Sequence, residues 1–282
     1  MMIEKFKQFY MNSEYKPFRK QFLWLNNRIK RKEGIEFVER NGVELELDLS
    51  DSVQNGIFMN VYKASIIRVM NEQLKEGDVM FDFGGFIGYF SLIGSKLVGE
   101  SGKVFCFEVN EENIKKIEKN IERNDAKNIE IINNAIGNQN RIVTIPTQTK
   151  YDVTTGKEIG DEKDVLMVTL DQFMKTNELE KIDFIKMDIN GHEYEALLGM
   201  QETIEKYHPT IVFKFSCLLT DTEKQIEKYR NDVLNLIFSF KDYEFYSDVS
   251  ACKVRLSKKD LRRILNERGA NNVLMKYMGR CN

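Results

Sequence analysis

Apolar residues recur along this chain with two alternating periods, and the alternation predicts an architecture. Val43, Leu45, Leu47 and Leu49 alternate with Glu44, Glu46 and Asp48. With the apolar run at 35–38 they flank Asn41-Gly42, the signature of a β-hairpin whose acids face water. After a polar link, residues 61–74 carry helical periodicity and stop before Gly77. From Asp78 onward, short apolar runs alternate with helical stripes. Strands are predicted at 79–83, 103–108, 129–132, 165–170, 183–188 and 210–215, with 243–246, 252–256 and 272–277 able to finish the sheet. Helices are expected over 86–97, after an Asn110 cap with Glu111 and Glu112 in the first turn, over 193–207, and from a Thr220/Glu223 capping box to about Phe240. The turn-rich stretch 147–163 reads as a surface loop. Such alternation calls for an α/β fold built on a doubly wound, mostly parallel, seven-stranded sheet with ligands at the carboxyl ends of its strands.

The first 34 residues stand apart. Pro17 suits a first helical position, and Phe18, Phe22, Leu25 and Ile29 share one helical face. Up to residue 32, nine lysines and arginines oppose only Glu4 and Glu14. A packed helix with a solvated basic end is the plainer reading; an arm for a partner or a membrane surface is the other. The expected division is therefore 1–60, a basic helix and hairpin extension, and 61–282, the main α/β domain. The whole chain of 282 residues is 42% apolar and 30% charged with a net charge of −2, which describes a folded protein without a global field for nucleic acid or anionic lipid. Cys106, Cys217, Cys252 and Cys281 lie far apart with no CxxC and read as reduced thiols, so a cytoplasmic location is expected. Neither a signal peptide nor a membrane span is predicted. Oligomeric state leaves no mark in the sequence.

The most informative segment is Asp82-Phe83-Gly84-Gly85-Phe86-Ile87-Gly88, where the first strand of the main domain turns into a helix. Glycines there allow a tight turn and close approach of a ligand. A dinucleotide fingerprint fails, because Phe86 and Tyr89 stand where its second and third glycines belong. What remains is D-x-G-x-x-x-G. Asp82 would repel a pyrophosphate but could hold the sulfonium and ammonium of S-adenosylmethionine. Glu108, at the end of the next strand, is placed to accept from two ribose hydroxyls, a feature shared by both cofactor classes. The competing reading is an ordinary glycine-rich turn.

Six blocks then occur in order: Asp82-Phe-Gly-Gly-Phe-Ile-Gly88-Tyr-Phe-Ser, Phe107-Glu108-Val-Asn110, Asn134-Ala135-Ile136-Gly137, Val168-Thr169-Leu170-Asp171, Asp183-Phe-Ile-Lys-Met-Asp188-Ile-Asn-Gly191-His192-Glu193, and His208-Pro209-Thr-Ile-Val. Together they resemble FkbM-type methyltransferases from about residue 40 to 278. The resemblance implies a class I methyltransferase fold over 61–282, S-adenosylmethionine as cofactor, and O-methylation of a sugar or metabolite hydroxyl. By position it implies that Asp82, Gly84, Gly85, Gly88 and Glu108 hold the cofactor, with Asn134 and Ala135 beside the adenine.

Methyl transfer needs a hydroxyl held against the methyl carbon and a group to take its proton. Asp188 ends the strand nearest the cofactor sulfur in this fold, and His192 opens the following helix, whose N-terminus disfavours imidazolium. These two are the catalytic candidates, although Asp188 could also serve as a helix cap. His208 reads as structural. No metal is expected, because Asp188 lacks a second nearby acid and a histidine pair. Departures from the family pattern cluster at Lys63, Asn190 and Lys214, where such proteins usually carry Glu, while Gly85, Phe86 and Val109 reshape turns. Two inverted charges make the pocket more positive, so either the acceptor is anionic or the catalytic pocket has decayed; alternatively the lysines point to solvent. The reading is an S-adenosylmethionine-dependent O-methyltransferase acting on a glycan precursor or small metabolite. Its rivals are a non-catalytic S-adenosylmethionine-binding scaffold and, third, a nicotinamide oxidoreductase.

Overall fold

The computed structural model describes residues 34–146, 150–152, 157–159, 162–215, 222–247, 255–266 and 271–279. The predicted basic helix of residues 17–32 lies outside them. In chain order the elements are β1 (Ile35–Arg40), β2 (Val43–Asp48), α1 (Ser52–Phe58), α2 (Ala64–Gln73), β3 (Val79–Phe83), α3 (Tyr89–Val98), β4 (Lys103–Phe107), α4 (Glu111–Arg123), β5 (Ile129–Ile132), β6 (Ala135–Ile136) and β7 (Arg141–Pro146). They continue with β8 (Lys150–Asp152), β9 (Lys157–Ile159), β10 (Glu162–Val168), α5 (Leu170–Thr176), β11 (Phe184–Met187), α6 (Glu193–Leu198), α7 (Gln201–Tyr207), β12 (Thr210–Phe215), α8 (Glu223–Ile237), β13 (Tyr243–Ser247), α9 (Lys258–Asn266) and β14 (Asn271–Tyr277).

Seven strands form the main sheet in the order β13-β14-β12-β11-β3-β4-β5. The sheet is mixed. β12, β11, β3, β4 and β5 pair in parallel, whereas β14 runs antiparallel to both β12 and β13. After β12 the chain passes through α8 to the edge strand β13, and β14 then comes back antiparallel between β13 and β12. Apolar side chains cover both faces: Phe81, Phe105, Ile185 and Phe213 pack on one, Met80, Val104, Phe184 and Val212 on the other. The chain leaves β3 outward through β4 and β5, then returns to β11 on the opposite side of β3. That reversal makes the β3/β11 junction a topological switch point, where open α/β sheets bind ligands.

The hairpin forms at Asn41 and Gly42, both at positive φ (52° and 78°), as a two-residue hairpin turn requires. Val43, Leu45, Leu47 and Leu49 are fully buried and share a core with α2 and α3. The free edge of β2 is satisfied by helix side chains. Asn124 accepts from Glu44 N at 2.8 Å and donates to Glu44 O at 2.7 Å, and Asn120 Oδ1 accepts from Glu46 N at 3.0 Å. Asn120 Nδ2 also donates to Ile87 O at 2.9 Å, so one buried side chain joins the hairpin, α4 and the glycine turn.

Several expectations shift for physical reasons. The polar link contains α1, capped by Asp51 accepting from Gln54 N. The strand expected at 165–170 belongs to a separate three-stranded sheet, order β6-β10-β7. The expected loop 147–163 includes the β8/β9 pair and the start of β10. The helix expected over 193–207 is broken into α6 and α7 at Gly199, where a Cβ would lie 1.9 Å from Gly137 O. The capping box of α8 is formed by Thr222 and Gln225. Thr220 lies outside the described residues, as does most of the strand expected at 252–256; Arg255 bridges to Tyr246. Asn120→Ala should lower unfolding stability by about 1–3 kcal/mol, because it strands the buried Ile87 carbonyl and the half-buried Glu46 amide. Urea unfolding with an unchanged slope would register this; a loss under about 0.5 kcal/mol would show that water replaces both bonds.

Candidate functional site

At the switch point, β3 ends in the turn 84–88 and β11 ends in Asp188. The two segments touch: Asp188 N donates to Phe83 O at 3.0 Å, and a Cβ on Gly84 would fall 2.3 Å from Asp188 O. Gly85 is equally constrained, since its Cβ would meet Cys106 Sγ at 2.3 Å. Both amides, Gly84 N and Gly85 N, donate to Phe107 O at 3.0 Å, which presses the turn against the end of β4. Gly88 has φ +83° and starts α3. Phe86 is also left-handed (φ 55°), a conformation costly for a bulky side chain. Its amide is held by Glu108 Oε2 at 2.8 Å, while Glu108 Oε1 accepts from Val109 N at 2.9 Å and Asn110 N at 2.8 Å. Burial raises the Glu108 carboxyl above its ordinary value, and these amides oppose the rise. Asn134 and Ala135 follow β5 on the same edge, with Ala135 paired to Met167.

Asp82 is fully buried beneath this turn. Its Oδ2 accepts from Ser91 Oγ at 2.6 Å, and its Oδ1 lies 2.8 Å from Lys186 Nζ. Lys186 in turn donates to Gly84 O at 2.7 Å. Burial opposes a charge on Lys186, but Asp82 and Asp188 hold its ammonium charged, above the ordinary lysine value. Asp82, assigned from sequence to the cationic groups of a cofactor, therefore has no accessible surface to offer; it fixes the turn through Lys186.

Asp188 gathers the three residues that depart from the expected pattern. Lys63 Nζ pairs with its Oδ2, Lys214 Nζ lies 3.2 Å from its Oδ1, and Lys214 also donates to Asn190 Oδ1 at 3.0 Å. Neither lysine points away into solvent. Burial alone would raise the Asp188 carboxyl, yet Lys186, Lys63 and Lys214 together hold it well below the usual carboxylate range. Lys63 moves the other way: burial pushes it below the ordinary lysine value, Lys186 and Lys214 add to this, and Asp188 opposes it. Lys63 and Asn190 are both left-handed (φ 42° and 52°).

The model of the methyltransferase FkbM domain matches residues 82–247, more than half of the chain. The chain belongs to the FkbM methyltransferase domain family. The matched segment is described as a methyltransferase domain. One curated relative, the hexuronic acid methyltransferase AglP of Haloferax volcanii, is 25% identical over 147 residues, covering 52% of this chain and 60% of its own length. This chain thus spans less than two thirds of that relative. Among solved structures, methyltransferase FkbM from Methylobacillus flagellatus KT aligns at 16% identity and a TM-score of 0.45, covering 79% of this chain and 52% of that one. TYW2 of M. jannaschii in complex with AdoMet aligns at 14% identity and a TM-score of 0.44, covering 86% of this chain and 85% of its own.

The structure places the two catalytic candidates, Asp188 and His192, in different surroundings. Asp188 is engaged by Lys63 and Lys214, which with Lys186 hold its carboxyl below the usual range. His192 is the exposed N-cap of α6 and makes no capping side-chain bond. His208 is structural as expected: it ends α7 and stacks on Tyr277 with ring centroids 3.9 Å apart. Sequence reasoning passed over Lys186, although a lysine inside the apolar run of β11 signals a buried ion pair. It also passed over Glu193, which accepts from Ile189 N at 3.3 Å, Gly191 N at 3.0 Å and Tyr229 Oη at 3.3 Å and so anchors the loop carrying Asn190. Among the described residues no cluster of His, Cys, Asp and Glu could hold a metal, and no helix is long and apolar enough to cross a membrane.

Burial pushes the Glu193 carboxyl up to about 7 from 4.5. A carboxyl with a raised folded value binds more protons folded than unfolded between those limits, so stability should fall as pH rises from 4.5 to 7. Urea unfolding at pH 5 and pH 7 should show the parent losing stability relative to Glu193→Gln over this interval. Parallel pH dependence in the two proteins would contradict the assignment.

Proposed function

We propose that this methyltransferase transfers the methyl group of S-adenosylmethionine to a hydroxyl of an anionic sugar, or of a small acidic metabolite. The observation that carries the reading is the charge at Asp188: two ammonium groups, Lys63 and Lys214, share one carboxylate at the mouth of the switch point. One positive charge is left over, which attracts an anionic acceptor and repels a cationic one. The name of the relative AglP, a hexuronic acid methyltransferase, agrees in kind, because a hexuronic acid is a carboxylated sugar.

The residues around the turn suit the donor. A carboxylate offers about four acceptor positions. Glu108 commits three of them to the amides of Phe86, Val109 and Asn110 and meets the Asn113 side chain as well, which a ribose hydroxyl would displace. Gly84, Gly85 and Gly88 would carry the donor along the turn, Asn134 and Ala135 would border the adenine, and Asp82 would act from below through Lys186. When bound, S-adenosylmethionine supplies an electrophilic methyl carbon on a sulfonium. Lys214, at the carboxyl end of β12, would meet the acceptor's negative group. One observation favours the non-catalytic scaffold: both lysines engage Asp188, so the cluster can close on itself.

S-adenosylhomocysteine should raise the melting temperature through binding to the native state, and NAD at the same concentration should not. Equal shifts would reject this donor site. With labelled S-adenosylmethionine, D-glucuronic acid should be methylated in preference to D-glucose, and added salt should weaken the acceptor more than the donor. A unit charge pair at 4 Å is worth roughly 4 kcal/mol at an effective dielectric of about 20, before desolvation, so Lys214→Glu should erase or reverse the preference. A parent that prefers glucose, or a variant with the parent's preference, would defeat the anionic acceptor. Absence of transfer to any hydroxyl would favour the scaffold.

A further inference from the structure

We propose that Asn190 is a specificity-determining residue of this site: its amide and the Lys214 ammonium form a clamp of two donors for the carboxylate of the acceptor. The inference rests on the anionic-acceptor reading above and names the second side chain that reads the acceptor's charge.

The donors and charges at the carboxyl ends of β11 and β12 do not balance. An ammonium group has three N–H donors and no acceptor. Lys214 commits two of them, one to Asp188 Oδ1 at 3.2 Å and one to Asn190 Oδ1 at 3.0 Å. Because an ammonium only donates, this bond also fixes the orientation of the Asn190 amide: its oxygen meets Nζ, and its nitrogen is left to donate elsewhere. Among the described residues, nothing accepts from that nitrogen or from the third Lys214 hydrogen. Two neighbouring side chains thus present donors without acceptors, and both reach the surface. Asn190 is exposed and Lys214 keeps 20% of its side chain accessible, whereas the Lys186–Asp82 pair below is sealed from solvent.

The surplus charge falls on the same pair of residues. Lys186 pairs with Asp82, and Lys63 pairs with Asp188 Oδ2, so Lys214 is the cation left without an anion of its own. Glu193, the other acid near this loop, is fully buried and turns its oxygens to the amides of Ile189 and Gly191 and to the Tyr229 hydroxyl. A carboxylate at position 190 would close Lys214 into a second ion pair. The Asn190 amide instead holds Nζ in place and leaves its charge for a ligand.

Backbone geometry supports the same residue. Asn190 is left-handed (φ 52°), a conformation that asparagine tolerates better than most side chains. Glu193 bonds the amides on both sides of it, at Ile189 and at Gly191, so the clamp is set before any ligand arrives and little ordering remains to be done on binding. Asp188 links the clamp to the glycine turn, its side chain meeting Lys214 and its amide bonded to Phe83 O at 3.0 Å. A carboxylate brings two oxygens in one plane, one for Lys214 Nζ and one for Asn190 Nδ2, with its charge opposite the surplus. A sugar hydroxyl brings one oxygen and no charge.

The test uses the full chain saturated with S-adenosylhomocysteine. Asn190→Asp keeps the shape of the side chain but pairs with Lys214, and Asn190→Gly removes the side chain; both residues tolerate the left-handed backbone. By calorimetry the parent should bind D-glucuronic acid more tightly than D-glucose. Asn190→Gly should lose about tenfold in glucuronic acid affinity, as for one hydrogen bond to a charged group, and Asn190→Asp should lose more, with glucose affinity held within about twofold in both. The parent alone gives a second readout: the Asn190 side-chain amide resonance in nitrogen-15 NMR should move on adding D-glucuronic acid and stay in place with D-glucose. A resonance that glucuronic acid leaves unmoved, or an Asn190→Asp protein with the parent's preference, overturns the clamp. Transfer from labelled S-adenosylmethionine separates this failure from that of the reading beneath it. Preferred methylation of glucuronic acid with an unmoved Asn190 resonance rejects the clamp and keeps the anionic acceptor. A resonance that moves without any methyl transfer keeps the clamp and rejects transfer to this acceptor.

Discussion

The buried pair of Lys186 and Asp82 is the interaction on which the rest of this site depends. It bridges the two parallel strands that meet at the switch point, and its third contact, Lys186 to Gly84 O, fixes the carbonyl that starts the glycine turn. Two charges removed from water persist only when paired and hydrogen-bonded, and loss of one partner from such a pair costs about 3–5 kcal/mol. The pair therefore links β3 and β11 through their side chains just below the point where Asp188 and Gly84 touch. The glycine turn and Asp188 are joined by this ion pair from below and by the backbone bond from Asp188 N to Phe83 O.

Above that pair the charge balance changes sign. Asp188 receives Lys63 from before the sheet and Lys214 from the neighbouring strand, so segments far apart in sequence converge on one carboxylate. Backbone strain accompanies the convergence. Lys63, Phe86 and Asn190 are all left-handed, and each lies on a loop at the carboxyl end of the sheet. Each strained residue is tied by a specific bond: Lys63 to Asp188, Phe86 N to Glu108, and Asn190 Oδ1 to Lys214. Such positions endure only where surrounding contacts over-determine them, which matches a preorganised site more closely than a surface that has merely drifted.

Much of the fold was legible because it rests on local signals. Alternation in Val43 to Leu49 and the Asn41-Gly42 turn marked the hairpin, and the apolar runs marked all seven strands of the main sheet. Signals that depend on tertiary contact were not legible. The break at Gly199 arises from the approach of Gly137 O, and the reversed direction of β14 from its return beside β12. The run at 165–170 has the apolarity of a central strand yet pairs in a side sheet. In the site, residue types and spacing pointed to Glu108, the family resemblance singled out Asp188, Lys63, Asn190 and Lys214, and the fold brings these last four together. Direction of contact was not readable: Asp82 turns inward to Lys186, a partner that only the β3/β11 register reveals. The low-lying carboxyl of Asp188 likewise follows from three lysines whose convergence no local pattern encodes.

The most direct measurement is a crystal structure of the full chain with S-adenosylhomocysteine and D-glucuronic acid bound together. The account requires the thioether sulfur over the 84–88 turn and the acceptor carboxylate within hydrogen-bonding distance of Lys214. A complex in which the Lys63–Asp188–Lys214 cluster stays closed, with both ligands remote from it, would contradict the account.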